Sequence, residues 1–341
     1  MTDKPAAAIP LAVATRGPFD ESVHFGHAVV VDAGGGIVAQ WGDPTATILP
    51  RSSCKMLQAL PLIESGAARE AGLGTEQLAL ACASHQGAAI HRQRVEHWLA
   101  DLGLGDGDLR CGPQVPNDKD ERERLRDTGQ SPCQIHNNCS GKHAGFLTLN
   151  RHLGGDADYV DPGHPVQKAV RAAFEEMTGE TSPGYGIDGC SAPNFATSLH
   201  GLGRAMARMA KPDGLGRVRE EAARALVDAM MRHPELVAGE GRACTRLMRA
   251  MGPRAAIKTG AEAVFVAILP ERGLGVALKI EDGGTRASET AIAALLVRLG
   301  VADPDHPEVR HYLKTPDHNR RGILTGTVHA TEALFEGGKP L

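Results

Sequence analysis

The stretch Ala263–Ile280 reads AVFVAILPERGLGVALKI, and its pattern decides the fold class. Two apolar runs, Ala263–Leu269 and Gly275–Ile280, flank the turn segment Pro270–Gly273 (PERG). Apolar, β-branched runs on either side of a short turn predict two antiparallel strands joined as a hairpin. Helical spacing then predicts a helix over Arg286–Leu299.

A second hairpin is predicted near the other end of the chain. The strand-like runs His27–Asp32 (HAVVVD) and Ile37–Gly42 (IVAQWG) flank the turn Ala33–Gly36 (AGGG). The glycines of this turn allow the positive φ angles that tight hairpin turns require. Strand patterns therefore stand near both ends of the chain.

The region between the two hairpins is predominantly helical in pattern. Val166, Val170 and Phe174 recur at helical spacing behind Pro165, and further helices are predicted over Phe195–Met209 and 218–232. We therefore predict an α/β protein of the α+β type. One antiparallel sheet is built from regions 12–50 and 255–330, and the mainly helical region 51–254 packs beside it.

Composition narrows the class of protein. The 341 residues are 42% hydrophobic and 23% charged, which is typical of a globular chain and excludes disorder. The net charge of −4 argues against a nucleic-acid partner. No apolar run reaches the length of a membrane span, and residues 1–18 lack the pattern of a signal peptide. An odd number of cysteines, seven, suits a reduced chain, so we expect a cytoplasmic enzyme with no membrane attachment.

The first motif with chemical content is Ser52-Ser53-Cys54-Lys55, where a helix is predicted to begin. The spacing puts Ser52 and Lys55 on one face of that helix. A serine hydroxyl needs a neighbouring base to act as a nucleophile, and a buried lysine can be that base when its amine is neutral. The same pattern also fits a capping serine beside a solvated lysine.

The second motif is Lys258-Thr259-Gly260, just before the apolar run at Ala263. Ser-x-x-Lys at a helix start together with Lys-Thr-Gly on a C-terminal strand is the pairing of serine β-lactamases and penicillin-binding proteins. Their Ser-Asp-Asn element is missing, and Ala83-Ser84-His85 ends an apolar run instead. Ser84 either pairs with Lys258 as a second serine–lysine couple or bonds a backbone group at a helix end.

Two cysteines stand in polar, glycine-rich loops, Cys139 in the segment 137–143 (NNCSGKH) and Cys190 in the segment 188–193 (DGCSAP). A thiolate near lysines is a nucleophile or a soft metal ligand. The spacing is not a Cys-x-x-Cys zinc pattern, so it does not by itself predict a metal. The three cysteines in apolar or helical surroundings are predicted to be buried core residues: Cys54, Cys82 and Cys244.

Two further polar residues of these loops are candidates for function. His143 follows Lys142 and is either a catalytic histidine or one that only completes the core or the surface. The carboxylate of Asp188 could bind an α-amino group or orient a base.

Together these segments resemble the rhizobial-type L-asparaginases, the asparaginase II family, which is distinct from the bacterial threonine-nucleophile enzymes. The resemblance rests on the segments 50–55, 83–85, 137–145, 188–191, 258–262 and 279–283. It extends from about residue 12 to 330, and the block 137–145 (NNCSGKHAG) is its most specific part. Ala263 stands where the family pattern has glycine, and Arg242-Ala243-Cys244-Thr245 and Ser53-Cys54 also depart from it.

The resemblance implies a fold similar to that of serine β-lactamases and glutaminases, a single catalytic domain over residues 1–341, and a homodimer. It implies two serine–lysine couples, Ser52 with Lys55 and Ser84 with Lys258. It also implies a Zn²⁺ ion and an asparagine pocket. The implied zinc ligands are Cys139, Lys142 and Cys190, with water completing the shell, and the implied substrate contacts are Arg51, His143 and Asp188.

The hypothesis that follows is the hydrolysis of L-asparagine to aspartate and ammonia. Neutral Lys55 deprotonates Ser52, the hydroxyl attacks the amide carbon, and Ser84 with Lys258 relays the proton to the leaving ammonia. Two alternatives stay open: a β-lactam or D-Ala peptide hydrolase on the same scaffold, and a non-catalytic, zinc-bearing binding protein. Sequence does not separate asparagine from glutamine, because only one methylene distinguishes the two substrates.

Overall fold

The structure is a computed structural model that describes residues 7–336 and 339–340. Its strands are β1 (Ile9–Arg16), β2 (Phe19–Asp32), β3 (Ile37–Trp41), β4 (Thr47–Ile48), β5 (Tyr185–Ile187), β6 (Pro193–Phe195), β7 (Thr197–Ser198), β8 (Ala256–Thr259), β9 (Val264–Leu269), β10 (Leu274–Ile280), β11 (Lys314–His318), β12 (Leu324–Ala330) and β13 (Lys339–Pro340).

The helices lie mainly between β4 and β8. They are α1 (Lys55–Glu64), α2 (Ala67–Glu70), α3 (Thr75–Ala81), α4 (Ala89–Asp101), α5 (Lys119–Asp127), α6 (Ser140–Leu153), α7 (Pro165–Thr178), α8 (Leu199–Ala210), α9 (Arg217–Arg232), α10 (Pro234–Val237), α11 (Ala243–Met251), α12 (Thr285–Arg298), α13 (Pro307–Leu313) and α14 (Glu332–Glu336). None of the helices that the structure describes is long and apolar enough to cross a membrane.

Strands from both ends of the chain share one sheet, in the order β11-β12-β1-β2-β10-β9-β8. β3 pairs with β2, and β13 pairs with β3. The two predicted hairpins meet where β2 and β10 run antiparallel, with Asp32 opposite Leu274 and Gly26 opposite Ile280. The prediction of one antiparallel sheet built from both ends, with a helical region beside it, is confirmed.

Helices cover the central strands. Both α8 and α12 pack against β9 and β10, and every residue of β9 (VFVAIL) is buried. Continuous burial of this kind explains why the run is uniformly apolar rather than alternating. Glycine at position 275 lets α8 approach closely, because a Cβ there would lie 2.1 Å from the backbone nitrogen of Ala207.

Two boundaries differ from the sequence prediction. The helix predicted from Phe195 begins only at Leu199, since the side chain of Ser198 caps it by accepting a hydrogen bond from the Gly201 backbone N–H. Phe195 lies instead in β6, a short strand paired with β5. In addition, β2 begins at Phe19 rather than His27. Its first half is mostly exposed and includes the polar run Asp20–Ser22, which does not show a strand pattern.

Candidate active site

Two buried lysines converge on the hydroxyl group of Ser84. The Nζ atom of Lys55, the first residue of α1, lies 3.0 Å from Ser84 Oγ. The Nζ atom of Lys258, on β8, lies 2.9 Å from the same oxygen. Lys258 is fully buried and Ser84 is 7% exposed. The predicted Ser84–Lys258 contact is therefore present in the structure, and Lys55 joins it.

Lys55 makes three hydrogen bonds, as many as an ammonium group has donors. Besides Ser84 Oγ, its Nζ donates to the Ala83 carbonyl oxygen and contacts Cys139 Sγ at 3.1 Å. Ser52 is not among these partners. The three partners together occupy the Nζ atom of Lys55 fully.

Lys258 has a different electrostatic environment. Burial, followed by the neighbouring charge of Lys55, lowers the pKa of Lys258 to about 7. Its Nζ also donates to the Thr259 carbonyl oxygen at 2.7 Å. Near neutral pH a large fraction of Lys258 is thus a free amine that can take a proton from Ser84.

Ser52 lies in the short 3₁₀ turn Arg51–Cys54 that precedes α1, and its side chain is partly exposed. Its hydroxyl makes no hydrogen bond to any other residue that the structure describes. The neighbouring Ser53 hydroxyl, in contrast, donates to the Pro50 carbonyl oxygen at 2.7 Å. Arg51 has φ +55°, a left-handed conformation that is strained for a residue other than glycine. Ser52 therefore offers a free, accessible hydroxyl on a strained turn.

The end of β8 packs directly on this turn. Gly260 follows Lys258-Thr259, and a Cβ at this position would lie 2.6 Å from the Pro50 carbonyl oxygen and 3.0 Å from the Ser53 backbone nitrogen. A side chain there would push the lysine strand away from the serine turn. Glycine at the end of the Lys-Thr-Gly motif is thus a requirement of close packing.

We expect Gly260→Ala to destabilise the protein by about 1–3 kcal/mol, because overpacking at a backbone contact forces the strand and the turn apart. Urea unfolding checks this value. A matched control is Gly107→Ala, since a Cβ at Gly107 would meet no atom within 4 Å. Equal stability of the two variants would contradict the prediction.

Arg51 and Asp188 form an ion pair at the edge of the site. The guanidinium Nε and Nη2 of Arg51 lie 3.1 and 2.8 Å from Oδ1 of Asp188. The Gly189 backbone N–H donates to the same oxygen at 2.8 Å. Oδ2 accepts no hydrogen bond from a described residue, so it is free to receive a cationic group of a ligand.

The two loop cysteines lie beside lysines. Lys142 Nζ lies 2.9 Å from Cys190 Sγ, and both side chains are buried. A hydrogen bond from the Cys139 thiol, together with the charge of Lys142, holds the pKa of Cys190 well below its ordinary value. Burial opposes the charge on Lys142, but the sulfurs of Cys190 and Cys139 outweigh it and raise the pKa of Lys142.

These side chains also fit the donor set expected for zinc. Among residues 7–336 and 339–340, no group of three or more His, Cys, Asp or Glu side chains is placed to hold a metal ion. The set implied by the resemblance includes only two such residues, Cys139 and Cys190, and its third member is the amine of Lys142. Two sulfurs and one nitrogen are donors that zinc accepts once the lysine amine has lost its proton, with a position left for water.

His143 is fully buried next to these cysteines. Burial lowers the pKa of His143 to about 4, so the ring is neutral at neutral pH. Its Nδ1 lies 2.8 Å from the hydroxyl oxygen of Tyr159, while its Nε2 has no hydrogen-bond partner among the described residues.

The remaining cysteines contribute to the core or to loops. All seven are free. Cys54, Cys82 and Cys244 are buried, as predicted, and burial raises the pKa of Cys54 and of Cys82 to about 12. These thiols are too weakly acidic to be nucleophiles at neutral pH.

Two residues of the site were not predicted from the sequence. Tyr159 contacts His143 from the loop between α6 and α7, where no motif marks it. His85 stacks on His91 with ring centroids 4.7 Å apart, and its Nε2 lies 3.0 Å from Ser140 Oγ. The only sequence signal for His85 was its position directly after Ser84.

Comparison with known proteins identifies the relatives of this chain. The model of the family described as L-asparaginase II matches residues 12–330. No curated protein matches the chain.

Solved structures with some similarity include a β-lactamase from Mycobacterium bovis, at 13% identity and a TM-score of 0.44, covering 80% of this chain and 94% of that one. A protein from Bacteroides dorei has 12% identity and a TM-score of 0.44 over 76% of this chain and 85% of that one. A protein called Mglu has 14% identity and a TM-score of 0.43 over 82% and 66% of the two chains.

Proposed function

The chain belongs to the L-asparaginase II family, and from that premise we propose that it hydrolyses the side-chain amide of L-asparagine to aspartate and ammonia. The observation that carries the proposal is the convergence of Lys55 and Lys258 on Ser84, with the free hydroxyl of Ser52 nearby in the chain. This set supplies a nucleophile and a base without any further group.

Substrate binding is assigned to Arg51, Asp188 and His143. The open Oδ2 of Asp188 suits the α-ammonium group of an amino acid, and the Arg51 guanidinium suits its α-carboxylate. The ion pair between the two side chains holds both groups in place before substrate arrives. Because these side chains hold the α-ammonium and α-carboxylate groups of the substrate, they also fix the position of its side-chain amide.

Acylation begins at Lys258. Its neutral amine takes a proton from Ser84, and Ser84 takes one in turn from Lys55, so that Lys55 becomes neutral. Lys55 then removes the proton of Ser52 as the Ser52 oxygen attacks the amide carbon. The start of α1 favours the negative charge that develops on the amide oxygen.

The proton held by Lys258 is used again in the second half of the reaction, when ammonia leaves. Lys258 returns its proton through Ser84 to the leaving nitrogen, which departs as ammonia and leaves an ester between Ser52 and the aspartyl group. Water attacks the ester with the relay again acting as base, which releases aspartate and restores Ser52. No proton is gained or lost by the protein over the cycle.

We assign a structural or substrate-positioning role to zinc. Cys139, Lys142 and Cys190 would hold the ion, which would supply positive charge near the substrate carboxylate and tie the two loops together. The serine chemistry above uses no group from it. The homodimer implied by the resemblance and the cytoplasmic location expected from the sequence pattern stay predictions.

The test is ammonia release by the purified protein with L-asparagine, L-glutamine and a chromogenic β-lactam as separate substrates. We expect ammonia from asparagine and no colour change from the lactam, and the rate with glutamine measures the preference between the two amides. Ammonia release by the Ser52→Ala variant gives the background rate. Lactam turnover without ammonia release would favour the β-lactam hydrolase instead. No turnover of any substrate, with zinc still bound, would favour the binding protein.

A further inference from the structure

The turn between β8 and β9 contains two consecutive residues with a strained backbone. Glu262 has φ +56° and Ala263 has φ +54°. Both angles lie in the left-handed region, which is unfavourable for residues other than glycine. The turn directly follows the motif Lys258-Thr259-Gly260, so its shape decides where the strand that carries Lys258 ends. Such strain persists only where neighbouring contacts hold the backbone in place.

One lysine supplies contacts that hold this turn. The Nζ atom of Lys279, on β10, donates to the Glu262 carbonyl oxygen at 2.6 Å and to the Ile280 carbonyl oxygen at 2.5 Å. The Ile280 backbone N–H in turn donates to the Ala263 carbonyl oxygen at 3.2 Å. Both strained residues are thus tied to β10 through their carbonyl groups.

Lys279 is an exception within its strand. The strand β10 (LGVALKI) is otherwise apolar, whereas the lysine side chain lies half-buried between His27 on β2 and Val264 on β9. Removing an ammonium group partly from water is costly unless it has hydrogen-bond partners. The two carbonyl oxygens supply those partners. The turn therefore explains a lysine at this position, which the apolar core of the sheet does not.

The other end of the turn packs beside the segment that carries Ser52. The Gly260 backbone N–H donates to the Val264 carbonyl oxygen at 2.7 Å, which closes the turn. A Cβ at Gly260 would lie 2.6 Å from the carbonyl oxygen of Pro50, which directly precedes the 3₁₀ turn Arg51–Cys54. Both β8 and β9 also contact that 3₁₀ turn. Opening of the β8–β9 turn would therefore move β8 relative to Ser52.

We propose that Lys279 is a positioning residue for the reaction. Its two hydrogen bonds hold the strained turn 260–264 closed, and the closed turn keeps Lys258 and Ser52 in the arrangement that the relay through Ser84 requires. Lys279 itself takes no part in proton transfer. The effect on turnover rests on the proposed asparagine hydrolysis, whereas closure of the turn does not depend on it.

Amide hydrogen exchange tests closure of the turn without any substrate. Lys279→Met keeps most of the side-chain length and removes all donors of the ammonium group. We expect the Gly260 amide to exchange at least about 5-fold faster in this variant, because loss of the two hydrogen bonds favours the open turn. An unchanged exchange rate in folded Lys279→Met would overturn the proposal.

Two substitutions at Glu262 separate backbone strain from loss of a side chain. Glu262→Gly and Glu262→Ala both remove the exposed carboxylate, but glycine alone adopts φ +56° without penalty. Glu262→Gly should therefore have a Tm a few degrees higher than that of Glu262→Ala. This comparison leaves Lys279 unchanged, so it applies even if Lys279→Met does not fold. Equal Tm values would refute the strain on which the proposal depends.

Steady-state kinetics tests the positioning role, at a temperature at which every variant is folded. Lys279→Met is expected to lower kcat/KM for asparagine about 5- to 50-fold. Adding Glu262→Gly should raise kcat/KM of this variant about 3- to 10-fold, because the closed turn is then less strained, whereas adding Glu262→Ala should not. A lysine that only stabilises the fold would not give this selective rescue. Unchanged kcat/KM in Lys279→Met, or equal rescue by both substitutions, would contradict the role.

Failure of this role can be distinguished from failure of the proposed function. If the unsubstituted protein released no ammonia from asparagine, the proposed function would fail. Exchange of the Gly260 amide in Lys279→Met, with and without Glu262→Gly, would still decide whether Lys279 holds the turn closed.

Discussion

Ser52→Ala is expected to lower kcat for asparagine hydrolysis by at least about 10⁴-fold and to remove the burst of ammonia that acyl-enzyme formation produces. The reason is that Ser52 carries the only oxygen assigned to attack the amide carbon. Rapid-quench measurement of ammonia in the first turnover, with mass spectrometry of the intact protein, checks both outcomes.

Ser84→Ala is the comparison that makes this test decisive. Ser84 is buried between two lysine amines, whereas Ser52 is partly exposed and free of hydrogen bonds to described residues. We expect Ser84→Ala to interrupt the proton relay and slow the reaction about 10²- to 10⁴-fold, with the aspartyl adduct still formed on Ser52. Loss of the adduct in Ser84→Ala but not in Ser52→Ala would make Ser84 the nucleophile.

A neighbouring hydroxyl controls for disturbance of the turn. The Ser53 side chain donates to the Pro50 carbonyl oxygen and has no assigned role in the reaction. Ser53→Ala removes this hydrogen bond, so a loss of about 1 kcal/mol in the free energy of unfolding is expected, with kcat within a few-fold. If Ser53→Ala were as inactive as Ser52→Ala, the defect would lie in the turn and not in the nucleophile.

The sheet could be predicted from the sequence because its strands carry their own signals. The run AVFVAIL is apolar throughout and is followed by a turn, so its local pattern and its buried position agree. The start of β2 could not be predicted in the same way, since a half-solvated strand with polar residues resembles a loop. Phe195 was assigned to a helix because apolar spacing alone does not distinguish a short strand before a capping serine.

Some contacts of the candidate site could likewise be predicted from the sequence, and others could not. The family resemblance implied that Lys258 would meet Ser84, a pairing that the motifs alone left open, and Lys258 Nζ lies 2.9 Å from Ser84 Oγ. Spacing along one helix also suggested a bond between Lys55 and Ser52, yet Lys55 turns to the Ala83 carbonyl and to Cys139. Cys139 immediately precedes α6 and Ala83 follows the end of α3, so the position of both partners depends on tertiary packing. Residue spacing carries no information on such contacts.

Lys258→Arg is expected to lower kcat/KM by about 10²- to 10⁴-fold, because an arginine guanidinium is never neutral in a protein and cannot accept the Ser84 proton. The substitution keeps the positive charge and most of the side-chain length. Steady-state kinetics across the pH range from 5 to 9 would measure both the loss and its pH dependence.

The pH dependence of kcat/KM tests whether Lys258 is the group that accepts the Ser84 proton. The relay needs neutral Lys258, whose pKa is about 7, so kcat/KM of the unsubstituted protein should rise as pH increases through about 7 and level off above it. The two buried histidines near the site do not account for this limb. The pKa of His143 is about 4, and burial holds the pKa of His85 well below its ordinary value. In Lys258→Arg the limb should disappear together with most of the activity.

Lys119→Arg provides the matched control, since the side chain of Lys119 on α5 is 77% exposed and the residue has no assigned role in the reaction. Its activity and pH profile should equal those of the unsubstituted protein. If Lys258→Arg kept a rising limb near pH 7, another group would be the base, and the relay through Ser84 would have to be abandoned even if Ser52 proved to be the nucleophile. Nucleophile and base are thus tested by separate experiments, and each assignment can fail without the other.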